Sequence, residues 1–131
     1  MGLFAKSKFA IPKIYEWSTR ENEFEKRAAF ATMAAYCMAD KKAENEVFEN
    51  FFPLIIKASD DNRLYVKKAV NWALRNIGKR NKDLHQQVIE VAKQLIALNT
   101  KSAIWIGKDA LHQLIKPKVN ILDYPRKIYR A

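Results

Sequence analysis

The chain of 131 residues holds one cysteine, three glycines and four prolines, and each shortage excludes something. A single thiol, Cys37, cannot form an internal disulfide or supply a cysteine-rich zinc cluster. So few turn formers leave no room for the hairpins and corners of a sheet protein, and favour helices. No uncharged apolar run approaches the roughly 20 residues of a membrane span, and no secretory leader pattern opens the chain. Met1-Gly2 does not begin an acylation signal, because Lys6 stands where Ser or Thr is required. The expected setting is therefore intracellular. Acidic side chains are also in the minority, 14 against 24 Lys and Arg, for a formal net charge of +10. With 49% of residues apolar, that surplus belongs to a folded basic protein, not a disordered basic tail. The length suits one domain.

What is present is helical periodicity. Apolar residues recur at 3.6-residue spacing in six segments, roughly 10–19, 22–39, 44–58, 62–80, 83–98 and 102–115, followed after Pro117 by a basic tail, residues 117–131. Ser18, Thr19 and Asn22 offer start chemistry for the second segment, Asp60 and Asp61 for the fourth, and Thr100 or Ser102 for the sixth. Gly78 is expected near a helix end, where backbone freedom is useful.

The segments also repeat. Phe24-Glu25-Lys26-Arg27-Ala28-Ala29 aligns with Tyr65-Val66-Lys67-Lys68-Ala69-Val70 at an offset of 41, and the latter with Trp105-Ile106-Gly107-Lys108-Asp109-Ala110 at an offset of 40. Each copy sets an aromatic three residues before a cation. A period near 40 with two helices per unit is that of HEAT and armadillo solenoids, so the expected fold is an all-α, HEAT-like α-solenoid of about six helices over residues 1–116. An ordinary helical bundle is the alternative. Because solenoids need polar capping repeats and the chain opens with Leu3 and Phe4, the sequence reads as the later part of a longer array.

Charge is uneven along the chain. Residues 20–50 carry five cations and seven anions, whereas 60–82 and 101–131 each carry seven cations and two anions. At 100° per residue the fourth segment sets Val66, Val70, Ala73 and Ile77 on one face and Lys68, Trp72, Arg75 and Lys79 on the other. Cations neutralise a phosphate backbone and an indole gives bases or sugars a platform, so this stripe is a candidate nucleic-acid surface. The competing reading packs Trp72 beneath a neighbouring helix. Arg27 stands on a segment apolar almost all round, with Phe24, Ala28, Ala31, Met33, Ala34 and Tyr36, so it either meets a buried carboxylate or faces a groove. Trp17 and Trp105 are expected in core or inter-repeat packing. His85 and His112 lack a metal-ligand spacing, and the glutamates at 21, 23, 25, 44, 46 and 49 read as solvated helix starts. No phosphate-binding glycine loop, nucleophile elbow or Cys-His pair is present, so no cofactor and no metal are expected.

EWSTRENEFEKRAAF, then DDNRLYVKKAVNWALRNIGKRN, then AIWIGKDALHQL, resemble in order and spacing the later half of the DNA alkylation repair proteins, the HEAT-like-repeat DNA glycosylases. The resemblance covers about residues 3–116. It implies a concave basic groove that holds duplex DNA and an enzyme that hydrolyses the N-glycosidic bond of cationic purines such as 3-methyladenine and 7-methylguanine, without drawing the base into a pocket as base-flipping glycosylases do. It assigns Arg27 to the DNA backbone near the lesion and Trp72 to the lesion's deoxyribose. Lys67, Lys68, Arg75, Lys79 and Lys108 then read as DNA-binding cations, and the setting as cytoplasmic, or nucleoid-associated in a bacterium. The family's catalytic aspartate lies in a Trp- and Asp-rich segment before the part that resembles GLFAKSKFA. None of Asp40, Asp60, Asp61 or Asp109 sits in that motif, so the resemblance implies a chain without the catalytic acid. Two further readings are a non-catalytic DNA-binding module on the same face and a protein-binding HEAT adaptor with an acidic partner.

Overall fold

A computed structural model describes residues 10–125. Leu3, Phe4 and the three cations of 126–131 lie outside them. Among the described residues the protein is all-helical, with seven helices. These are α1 (Ala10–Ser18), α2 (Glu23–Ala39), α3 (Asn45–Glu49), α4 (Phe52–Ala58), α5 (Leu64–Gly78), α6 (Lys82–Ala97) and α7 (Lys101–Leu114). Five of the six expected segments match single helices within two residues at each end. The third, expected as one helix over 44–58, is two. Pro53 sits in the first turn of α4, where its missing N–H is harmless, but it cannot bond back to Glu49 and so ends α3. No helix among the described residues is long and apolar enough to cross a membrane.

The starts follow local chemistry. Asn22 caps α2 by accepting from the Glu25 N–H, Asn81 caps α6 through Leu84, and Thr100 caps α7 through Ala103. At α5 the cap position belongs to Arg63, two residues beyond the aspartates; Asp61 instead accepts the Arg63 N–H, its Nε and its Nη2.

The helices form two rows. α2 packs on α5 and α5 on α7, while α1, α4 and α6 back them. The core runs between the rows: Val66, Val70, Ala73 and Ile77 of α5 are all fully buried, as are Ile14, Phe30, Met33, Ile55, Leu84, Leu95 and Ile106. Cys37 lies within it, and burial pushes its thiol up to about 12, so it stays protonated.

Polar ties hold α2 to α5 at both ends. At the N-terminal end Lys26 Nζ lies 3.0 Å and Arg63 Nη2 2.7 Å from Asp61 Oδ2, and Arg63 Nη1 donates to the Glu21 carbonyl at 3.0 Å. At the C-terminal end Asn76 donates to the Ala34 carbonyl. There Arg80, fully buried, donates to the carbonyls of Cys37, Asp40 and Ala43 at 2.6 to 2.8 Å and stacks 4.0 Å from the Phe48 ring centroid. Arg80 belongs to the basic block at 60–82 by sequence, yet it contributes nothing to the outer surface. Residues after Pro117 return across this end: Leu122 N–H donates to the Lys79 carbonyl at 2.8 Å, and Asn81 Nδ2 donates to that of Tyr124.

The hydrogen bonds from Arg63, aided by Lys26, hold the Asp61 carboxyl far below its ordinary 3.8. A depressed folded-state value stabilises above the unfolded value and is lost as pH falls through and below it. Tm is therefore expected to drop between about pH 5 and pH 2, and the drop should be shallower in Asp61→Asn, which loses the stabilisation already at neutral pH. Equal acid slopes for the two proteins exclude this origin.

Gly78, expected to supply backbone freedom, has no positive φ. Its role is space: a Cβ there meets the Leu114 side chain at 2.8 Å. Gly107 is tighter, because a Cβ would stand 2.5 Å from the Ala92 carbonyl oxygen, backbone that cannot rotate away. Gly107→Ala is expected to cost about 2–3 kcal/mol by forcing α6 and α7 apart. Gly78→Ala should cost less, since it meets only side-chain methyls, of Leu114 and at 3.2 Å of Val88, and no backbone. Urea unfolding of the pair gives the comparison, and equal losses contradict the assignment.

Candidate functional site

The outer faces of α2 and α5 meet in a groove. Trp72, 43% exposed, stands opposite the buried valine face of α5, so the expected sorting of that helix holds and the competing burial of Trp72 beneath a neighbour does not. Around it lie two adjoining hollows. One, about 310 Å3, is lined by Arg27, Ala31, Tyr65, Lys68, Ala69 and Trp72. The other, about 380 Å3, is lined by Phe24, Arg27, Ala28, Ala31, Thr32, Ala35 and Trp72. Arg27, Ala31 and Trp72 belong to both. No carboxylate lines either.

Arg27 faces this groove and not a buried acid. Its guanidinium carbon lies 5.3 Å from the Tyr65 ring centroid, and among the described residues it has no ion pair. The apolar look of its helix has a simple cause. The side that faces solvent is a wall of small residues, Ala28, Ala31 and Ala35, which leaves room above the backbone where a polar face would ordinarily be. Phe24 stands at the rim, 73% exposed.

The remaining candidates spread outward. Lys68 is exposed beside Arg27 and Trp72. Arg75 is half-buried, with its Nε donating to Asn71 Oδ1 at 2.9 Å and lying 4.0 Å from Asp109 Oδ2, so its charge is shared with an acid on α7. Asn71 in turn donates to the Ile106 carbonyl. Lys67 turns to α7 as well, with Nζ 5.3 Å above the Trp105 ring. Lys108 is exposed on α7, and Lys79 lines a separate hollow at the far end of α5. The structure thus gathers Arg27, Lys68 and Trp72, and sets Lys67, Arg75, Lys79 and Lys108 elsewhere.

Trp105 lies not in the core but at the surface of α7, 37% exposed, where Lys67 of α5 packs over its ring; of the two expected placements, packing between helix pairs is the one found. Trp17 does pack against the core. Tyr65, 56% exposed, is a groove residue that the stripe on α5 did not single out. The repeat alignment carried the signal: Phe24, Tyr65 and Trp105 are its aromatic position, Arg27, Lys68 and Lys108 its cationic one, and all six are exposed. The matching positions Ala29, Val70 and Ala110 are all buried.

Three of the four aspartates weighed above are engaged elsewhere, and Asp60 is exposed in the loop before α5. Asp61 is clamped by Lys26 and Arg63, Asp40 accepts the Tyr36 hydroxyl at 2.7 Å, and Asp109 faces Arg75. His85 Nε2 lies 2.8 Å from the Leu114 carbonyl oxygen, and no cluster of potential metal ligands occurs among the described residues.

These features define an all-helical protein with an exposed, cationic and aromatic groove and no metal cluster or paired acids in it. The family of the DNA alkylation repair enzyme matches residues 1–111, and the chain belongs to that family. No curated protein and no solved structure matches it.

Proposed function

We propose that the α2–α5 groove binds duplex DNA and seats the deoxyribose of a cationic alkylated purine, such as 3-methyladenine or 7-methylguanine, against Trp72 for N-glycosidic hydrolysis. The observation that carries this reading is the meeting of Arg27, Lys68 and Trp72 on one hollow, with Arg27 and Trp72 continuing into the adjoining one, neither lined by a carboxylate. An acid there would repel phosphate and neutralise the arginine. Membership of the DNA alkylation repair family supports the lesion class. The reading includes the architecture: the two rows, the repeat of near 40 residues and the matched burial of aligned positions support a HEAT-like α-solenoid.

The chemistry asks little of these residues. A positively charged base is already a good leaving group: the bond that breaks leaves its electron pair on the base, and water adds to the oxocarbenium-like C1′ and gives up a proton to solvent. Arg27 and Lys68 hold the flanking phosphates, and the indole offers the sugar an apolar, electron-rich face. Stabilising that sugar with a carboxylate is not a role open to Asp40, Asp61 or Asp109, which are engaged elsewhere.

Fluorescence anisotropy with a duplex carrying one 7-methylguanine, set against the undamaged duplex, tests binding. Release of free 7-methylguanine tests chemistry. Tighter, salt-dependent binding of the damaged duplex is expected. Absence of duplex binding at low salt overturns the reading and leaves a protein-binding helical module.

A further inference from the structure

Lys79, Lys116 and Lys118 surround a hollow of about 240 Å3 completed by Gln113, Val119 and Asn120. Five of these six residues follow residue 111, where the family match ends. We infer that this hollow is a second anion site, which takes a backbone phosphate of the same duplex beyond the Arg27–Trp72 groove. The inference rests on the duplex-binding reading of that groove.

None of the three lysines has an ion pair among the described residues. The only tie of their ammonium groups shown there is Lys116 Nζ to Gln113 Oε1 at 3.4 Å. The nearby helix-end carbonyls do not need them: the Leu114 oxygen faces His85 Nε2, and the Lys79 oxygen accepts from Leu122. Three like charges around one hollow repel each other until an anion enters. A phosphate suits them, because lysines bind it as point charges and the Gln113 and Asn120 amides can donate to its remaining oxygens. Two other cavities of the described residues belong to the groove already assigned. A third contains Asp83 and Asp123, which disfavours an anion.

Position selects DNA as the source of the phosphate. Lys79 ends the stripe that begins at Lys68, and 11 residues of helix at 1.5 Å each set them about 16 Å apart. A strand carries a charge every 3.4 Å or so of duplex axis, so a backbone held at Lys68 has further phosphates across that distance.

The test compares the full chain with the double variant Lys116→Ala/Lys118→Ala, checked for helix content and Tm; both side chains are exposed. Duplex affinity is measured against salt by anisotropy, and inorganic phosphate binding by calorimetry. The expected result is a log–log salt slope smaller by about two units, with an unchanged preference for the 7-methylguanine duplex. An unchanged slope, with Arg27→Ala still weakening binding, overturns the second site and leaves the groove standing. A reduced slope, with Arg27→Ala and Trp72→Ala silent, keeps the second site and overturns the groove. Loss of inorganic phosphate binding with DNA binding intact overturns DNA as the source in favour of a free phosphate.

Discussion

Arg80→Met is expected to destabilise the protein by about 3–5 kcal/mol, the largest loss for one side chain outside the apolar core. Methionine fills a similar volume and restores no donor, so the carbonyls of Cys37, Asp40 and Ala43 are left without the guanidinium. A buried acceptor stranded this way costs about 1–3 kcal/mol, and water entering the opened end of α2 recovers part of the sum. Total stability of a domain this size is only about 5–15 kcal/mol, so the urea midpoint should fall by about 2 M. Arg80→Lys should fail nearly as badly, because one ammonium cannot follow a planar fork to three acceptors. The side chain's Nε lacks an acceptor, and burial depresses its pKa, so the arrangement already carries a desolvation cost. A loss under about 1 kcal/mol would mean that the three carbonyls find water without it.

The second large effect is on function. Arg27→Ala should leave Tm nearly unchanged, as for other exposed positions, and weaken duplex binding about 10- to 100-fold, the worth of one charged contact at about 1.5–3 kcal/mol. Its salt slope should fall by about one unit. Trp72→Ala should remove the preference for alkylated over undamaged duplex at a stability cost well below the roughly 3–5 kcal/mol of a core tryptophan. A core-sized loss in Trp72→Ala, or full binding by Arg27→Ala, would sink the groove assignment. Tyr65 separates packing from positioning. Tyr65→Phe keeps the ring beneath Arg27 and should bind like the parent, whereas Tyr65→Leu removes the cation–π contact and should weaken binding in the same direction as Arg27→Ala.

Local rules were readable wherever one residue sufficed to state them. Asn22 and Thr100 cap the helices they precede, and the 100° rotation separates Val66 from Lys68. Arg27, Lys68 and Trp72 were legible as candidates, each from its own helix. What the sequence hid depends on which helices are neighbours. Arg80 reads as one more surface cation in KR until the end of α2 is seen to lie against it. Gly107 is unremarkable by sequence, and only the approach of Ala92 makes it necessary. Tyr65 lies outside the Lys68–Trp72–Arg75–Lys79 stripe of α5, and only its shared place in the repeat with exposed Phe24 and Trp105 points to the groove. The split at Phe51 was within reach, since Pro53 forbids the helix bond that a single segment 44–58 requires.

The ties at the two ends of α2 and α5 bear on the proposed DNA binding as well as on the stability of the protein. Asp61 ties one end of α2 and α5 and Arg80 the other, so contacts on both sides of the groove resist a change in the separation of Arg27 from Trp72. If duplex DNA is its ligand, as proposed, a groove tied at both ends leaves more of the adjustment to the duplex. Its bending and groove-width changes then enter the affinity as an energy that depends on base sequence. Two lesions of identical chemistry in stiff and in flexible sequence contexts should accordingly differ in how tightly they are held, without any need for base-specific contacts.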